Sequence, residues 1–224
     1  METNVKGIVL RTVNYKEADK IASIFTLEEG VIAAKFAGVR RDKAKLKAVS
    51  QPFSLCEFTV NKTKEHRTVI SASAIDLFNN LSSDYTRMMC GYIVLDMIKS
   101  ILPEEKVETE IFLMSVNALK NIEQDNPYVA TIDYILKFLQ INGLGLVLPD
   151  ANYVYLNKDT GDFVLKREEF CYEIDRHIYK TLKAINDGID IEDNSKILIQ
   201  ILRMLNNVIY AKFNVEIKSF QFIW

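Results

Sequence analysis

Apolar residues come in short runs broken by turns over the first third of the chain and recur at helical spacing over the rest. Residues 5–13, VKGIVLRTV, are rich in β-branched side chains and predict a strand in which Gly7 marks a bulge. The polar connection NYKEAD leads to a second strand, IASIFT, at residues 21–26. LEEG then supplies a turn that needs a positive φ at Gly30, and residues 31–36 return as the partner strand of a hairpin.

The apolar pattern over residues 53–60 changes phase. Phe53 and Leu55 fall on one parity, and Cys56, Phe58 and Val60 on the other. A slip of one residue moves every side chain to the opposite face, so this stretch predicts a bulge or sharp coil of the kind small closed barrels use. After NKTKEH, residues 67–75 complete a fifth strand. Five short strands in about 75 residues predict an antiparallel barrel, with the OB-fold as the natural candidate.

From Asp84 the period becomes helical, with Tyr85, Met88, Met89, Tyr92 and Ile93 on one face, Ser83 or Asp84 as cap and Pro103 as stop. A second helix covers residues 109–122. Asn126 caps a third, which Pro127 begins and Gly143 ends. Residues 153–156 and 163–165 flank NKDTGD and predict a hairpin inserted at about 144–170. Helical spacing resumes at Ile174, His177, Ile178, Leu182 and Ile185, up to Gly188. A last helix follows, capped at Asn194 or Ser195, and the tail NVEIKSFQFIW is apolar enough to pack back on the body. The fold expected is α+β: a barrel over residues 1–80 and a helical domain with a hairpin insert over residues 81–224. No low-complexity linker separates them, so they are expected to be docked.

Composition adds little until charge is placed along the chain. The 224 residues are 49% hydrophobic and 26% charged, as in an ordinary globular protein. Neither a signal peptide nor a stretch long enough to span a membrane is visible, so a cytoplasmic location is expected. Cys56, Cys90 and Cys171 lie far apart and read as buried reduced thiols; with His66 and His177 as the only imidazoles, no metal site is expected. The formal net charge is −2, yet residues 1–80 hold 13 Lys and Arg against 9 Asp and Glu, leaving 15 against 21 for residues 81–224. Such asymmetry points to one nucleic-acid-facing half and one half with another task.

The positive charge is densest at residues 38–50, GVRRDKAKLKAVS, which hold Arg40, Arg41, Lys43, Lys45 and Lys47 relieved only by Asp42. A charge run on its own reads more readily as a solvated loop. Its place between strands of an OB barrel, on the basic half, reverses that reading, because such barrels bind single strands with a basic groove and stacking aromatics. Lys35, Arg11 and Lys20 extend the cationic set, and Tyr15, in a polar loop, is the aromatic expected to stack. Phe25, Phe53 and Phe58 belong in the core. No nucleophile elbow, phosphate-binding loop, dinucleotide fingerprint or H-E-x-x-H pair occurs, and Gly143-Leu144-Gly145 follows a helix rather than a strand. No enzyme activity, cofactor or small-molecule substrate is expected.

GIVLRTVNYKEADKIASIFTLEEG at residues 7–30, the Ala37-Gly38-Val39-Arg40-Arg41 turn, the Lys-rich stretch and Gln51-Pro52-Phe53 resemble the N-terminal barrel of the RecO family of DNA repair proteins. Leu102-Pro103-Glu104-Glu105 and FNVEIKS at residues 213–219 extend the resemblance towards the chain end. It implies a recombination mediator that binds single- and double-stranded DNA and anneals complementary strands. The partners it implies are RecR and single-stranded-DNA-binding protein, with which such a mediator loads RecA. The matched basic positions are Arg40, Arg41, Lys43, Lys45 and Lys47, with Arg11 and Lys35 beside them. Many members hold a four-cysteine zinc site in the insert, where this chain has only Cys171, too few thiolates for structural zinc. The hairpin is expected to be held by Tyr153, Tyr155, Phe163 and Leu165 instead. An alternative function is a protein–protein adaptor acting through the acidic half, with weak DNA binding of its own.

Overall fold

A computed structural model describes residues 1–63 and 66–223 of the chain. Lys64 and Glu65 of the predicted NKTKEH connection, and Trp224 at the end of the predicted apolar tail, lie outside the described residues.

The chain forms two compact units, the first comprising Met1–Ser83 and Leu95–Val116, the second Asp84–Val94 and Asn117–Trp224. In the first, β1 (Glu2–Tyr15), β2 (Asp19–Thr26), β3 (Gly30–Phe36), β4 (Leu55–Lys62) and β5 (Arg67–Asp76) close into a barrel of order β1-β2-β3-β5-β4. This is the OB-fold topology. Closure depends on β1 serving two neighbours. Residues 2–8 pair with β4 and residues 7–15 with β2, and the strand bends between them at a bulge whose extra residue is Leu10. The seam between β3 and β5 is thin, a single parallel pair of Lys35 with Thr68.

The bulge is therefore not at Gly7, as the sequence suggests. Gly7 is kept small by its neighbour strand: a Cβ there would come within 2.7 Å of Ile24 Cγ2 and 3.0 Å of the Phe25 carbonyl oxygen. The phase change at Leu55 and Cys56 does mark an irregularity. Leu55 pairs with Asp76 and Cys56 with Ala74, so the extra residue, Ile75, sits on β5 rather than on β4. Phe53 precedes β4 and is buried with φ +72°.

Inward-facing Val5, Val9, Ile24, Ile32, Phe36, Phe58, Val60 and Val69 fill the barrel, with Phe36 and Phe58 edge to face at 6.1 Å. Phe25 is buried on the other side of β2, its ring 5.4 Å from Phe112. A short helix, α1 (Asn79–Ser83), absent from the sequence reading, follows the barrel and buries Leu81. In α2 (Tyr85–Ile101) the cap is Asp84, whose carboxylate accepts from the Arg87 N–H at 2.8 Å.

After α3 (Thr109–Gln124), α4 (Pro127–Ile141) starts at Asn126, whose side chain accepts from the N–H groups of Tyr128 and Val129. The insert is a three-stranded sheet of β6 (Tyr155–Asn157), β7 (Phe163–Val164) and β8 (Cys171–Glu173), in the order β7-β6-β8. Its inner face is Val154, Leu156 and Phe163, and Phe163 packs on Tyr179. Phe163 holds the hairpin as expected, whereas Tyr153 is exposed and Tyr155 half-buried, because the parity of the first run is opposite to that assumed, and Leu165 is exposed just past the end of β7. α5 (Arg176–Asn186) and α6 (Ser195–Phe213) complete the unit. The tail packs back through Ile217, Phe220 and Ile223.

All three cysteines are free; Cys171 is only half-buried, contrary to the uniform burial expected. Burial pushes the Cys56 thiol up to about 11 and the Cys90 thiol up to about 12, which leaves both protonated and unreactive at neutral pH. Among the described residues, no helix is long and apolar enough to cross a membrane.

Candidate nucleic-acid interface

The basic stretch is the connection from β3 to β4, and apolar pins hold it on the barrel. Val39 and Val49 are buried and Leu46 packs against the same core, so the intervening lysines are turned outward. Successive turns set the backbone: the Ala44 N–H donates to the Arg41 carbonyl and the Lys47 N–H to the Ala44 carbonyl. Side chains of Ser50 and Gln51 donate to the Lys47 carbonyl at 2.9 and 3.0 Å.

Arg40 is used differently from its neighbours. Its backbone N–H donates to the Ala18 carbonyl at 2.8 Å and its guanidinium to the Lys16 carbonyl at 3.2 Å. The Gly38 N–H donates to Asp19 Oδ1 at 2.7 Å. These bonds tie the basic connection to the β1–β2 turn. Arg41, Lys43, Lys45 and Lys47 are exposed and, among the described residues, have no ion-pair partner. Arg41, Lys43 and Lys45 border a hollow of about 410 Å³ that also reaches Ile70 of β5.

A second feature faces outward from the strands. Arg11, Val13 and Tyr15 alternate on β1 opposite Ser23, Ile21 and Asp19 of β2, and Ile21 in turn pairs with Lys35 of β3. Thus Arg11, Tyr15 and Lys35 share one face. Tyr15 is the last residue of β1 rather than part of a loop; it is 41% exposed, with Lys16 Nζ 5.3 Å from its ring centre. The face opens into a groove of about 510 Å³ bordered by Tyr15, Lys16, Lys35, Lys62, His66 and Arg67. Lys16, Lys62, His66 and Arg67 escape a sequence reading because their short charged stretches, YKEADK and NKTKEHR, mix cations with carboxylates and read as ordinary turns. Their signal is topological, since the β1–β2 and β4–β5 connections flank the binding face of an OB barrel.

The groove is not uniformly positive. Arg67 pairs with Glu29 at 3.1 Å and Glu105 at 2.8 Å, and Lys62 with Glu29 at 3.3 Å. Burial opposes the Arg67 charge, but the hydrogen bonds and charges of Glu105 and Glu29 prevail and raise the guanidinium above its ordinary value. The hydrogen bond from Arg67, together with its charge, holds Glu105 below the usual carboxylate range. A carboxylate lowered by folding stabilises the folded state above its unfolded pKa, and that contribution disappears as pH falls through the lowered value. Wild type is therefore expected to exceed Arg67→Met in melting temperature at neutral pH. The gap should narrow below the ordinary glutamate value of about 4.3, as followed by melting curves from pH 7 to pH 3.

No group of three or more His, Cys, Asp or Glu side chains among the described residues is arranged to hold a metal ion. Fold and charge layout together define an OB-barrel protein with a cationic barrel face and a helical unit after it.

The chain belongs to the RecO family. The family model described as Recombination protein O N terminal matches residues 1–78, and that described as Recombination protein O C terminal matches residues 82–151. The chain is 28% identical to the DNA repair protein RecO of Caldicellulosiruptor bescii over 215 residues, which cover 91% of this chain and 87% of the relative. It is 36% identical to that of Caldicellulosiruptor saccharolyticus over 114 residues, 51% of this chain and 47% of the relative. With that of Bacillus subtilis it shares 30% identity over 165 residues, 73% of this chain and 64% of the relative.

Proposed function

We propose that this RecO-family protein is a recombination mediator without catalytic turnover that binds single- and double-stranded DNA in the cytoplasm. It promotes annealing of complementary strands, and with RecR and single-stranded-DNA-binding protein it assists RecA loading. The observation that carries the reading is the run of exposed Arg41, Lys43, Lys45 and Lys47, without ion pairs among the described residues and held outward on an OB barrel by Val39, Leu46 and Val49. Cations without carboxylate partners gain affinity for any phosphate backbone by releasing condensed counterions. Arg11, Lys35 and Lys16 continue that character along the strand face, where Tyr15 offers a ring for base stacking. Arg40 acts through the backbone it braces.

Filter binding of DNA by the purified chain, set beside a pull-down with RecR and single-stranded-DNA-binding protein, tests the reading. Mediator function predicts tight DNA retention that falls steeply with salt. Partner capture without DNA retention would make the protein an adaptor acting through its acidic half.

A further inference from the structure

Positive charge also collects on one helix of the otherwise acidic second unit. Arg176, Lys180 and Lys183 occupy positions i, i+4 and i+7 of α5, which places them on a single face. The adjoining face, Tyr179, Leu182 and Ile185, is buried, and α5 packs on α4 and α6, so the helix cannot turn its cations inward. Together with Asp150 and Asn152 the three cations border a cavity of about 260 Å³.

The walls of that cavity are fixed. The Tyr179 hydroxyl donates to the Pro149 carbonyl at 2.6 Å, and the Ile174 N–H donates to the Val154 carbonyl at 3.0 Å. Little neutralises its charge. Lys183 meets Asp150 at 3.2 Å, but that carboxylate is 98% exposed, and an exposed pair of this kind is weak. Arg176 donates to the neutral amide of Asn152 at 3.2 Å. Lys180 has no ion pair among the described residues. Asp175 is engaged as the helix cap, accepting from the N–H groups of His177 and Ile178. An adjoining hollow shares Asn152, Ile174 and Arg176 and adds Glu173 and Tyr153, whose ring is 67% exposed.

We infer that the α5 face with Tyr153 is a second contact for single-stranded nucleic acid: Arg176, Lys180 and Lys183 take backbone phosphates and Tyr153 stacks a base. This rests on the reading of the chain as DNA-binding and adds a site in the helical unit. A peptide ligand would require an apolar seat at the centre of its interface. Here the apolar wall residues Val154, Ile174 and Tyr179 are already buried, and what remains accessible is three cations, an amide and one flat ring, alongside the carboxylates of Asp150, Glu173 and Asp175.

The test measures oligothymidylate affinity and its salt dependence on the full chain in five forms: wild type, Lys180→Glu/Lys183→Glu, Arg41→Glu/Lys43→Glu/Lys45→Glu, the combination of these two, and the barrel variant carrying Tyr153→Ala. Circular dichroism confirms the fold of each. The α5 variant should lose roughly fivefold to twentyfold in affinity, and its slope of log K against log salt should fall by about 1.4, because two phosphates on a single strand contribute about 0.7 each. The barrel variant should keep a residual, salt-sensitive binding that the combined variant lacks, and Tyr153→Ala should weaken that residual further. Unchanged affinity and slope in the α5 variant would overturn the inference while leaving the barrel reading intact. A barrel variant that binds like wild type while the α5 variant fails would sink the barrel reading instead. Loss of a polyglutamate peptide with DNA binding unchanged would reassign the face to protein.

Discussion

Replacing Arg41, Lys43 and Lys45 together by glutamate is expected to weaken DNA binding about a hundredfold or more near 0.1 M salt. Three phosphate contacts become repulsions, and the slope of log K against log salt should flatten by roughly 2 to 3, since each neutralised phosphate contributes about 0.7 on single strands and about 0.9 on duplex. The loss should be similar for different base sequences, because contacts to phosphate position the strand without reading it. Stability should hardly change. These side chains are exposed and without ion pairs among the described residues, and substitutions at such positions usually stay within about 0.5 kcal/mol each. Arg40 is left out of the variant, because its guanidinium braces the Lys16 carbonyl and its loss would mix folding with binding. Anisotropy titrations at several salt concentrations, paired with melting curves, check both halves of the expectation.

The largest effect on folding is expected at Gly30. Its φ of +70° costs a side chain roughly 1–2 kcal/mol by itself. A Cβ there would also lie 2.1 Å from the Lys106 carbonyl oxygen and 2.8 Å from the Lys106 nitrogen, both backbone atoms. The segment holding Lys106 is anchored to β3, since the Glu105 N–H donates to the Val31 carbonyl at 3.0 Å. It cannot yield without breaking that bond, and forcing atoms into a packed site costs a further 1–3 kcal/mol, roughly. Gly30→Ala should therefore destabilise the chain by about 3 kcal/mol. Gly143 supplies the control. Its φ is +73°, with nothing within 4 Å of an added Cβ, so Gly143→Ala should cost only the backbone preference. Urea unfolding of both variants separates the collision from the conformational cost. Equal losses would mean that residues 104–106 give way freely.

The parts of the molecule that were legible in its sequence are those set by local chemistry. Asn126-Pro127 announces the start of α4 because a capping amide and a proline without an N–H both suit a helix N-terminus. The turn at Gly30 and the phase change at Leu55 and Cys56 are equally local, and both correspond to real features of the barrel. What escaped depends on pairing at a distance. The bulge falls at Leu10 rather than Gly7 because β1 must serve β2 and β4 at once, which its own residues do not reveal. Strand β8 is three residues long, too short for any period to register. Phe163 reads correctly as core, but Tyr153 gives way to Val154 and Leu156 because so short a run does not reveal its parity, and Leu165 falls beyond the two-residue strand β7.

The candidate site divides in the same way. The run from Arg40 to Lys47 is visible as charge density, whereas the groove joins Tyr15 from the end of β1, Lys16 from the turn after it, Lys35 from β3, and Lys62, His66 and Arg67 from beside another turn. Only barrel closure gathers them. The sequence also hides which cations are free. Arg67 is held by Glu29 and Glu105 and Arg40 by a carbonyl, so Arg41, Lys43, Lys45 and Lys47 remain as the set on that connection without a partner among the described residues.

On the proposed function, the cationic barrel face brings complementary strands together. Annealing of complementary oligonucleotides coated with single-stranded-DNA-binding protein, followed by fluorescence quenching, tests it most directly. The wild-type chain should accelerate annealing well above the spontaneous rate, and the Arg41→Glu/Lys43→Glu/Lys45→Glu variant should fall back close to it. A folded wild-type chain that leaves the spontaneous rate unchanged would contradict the account.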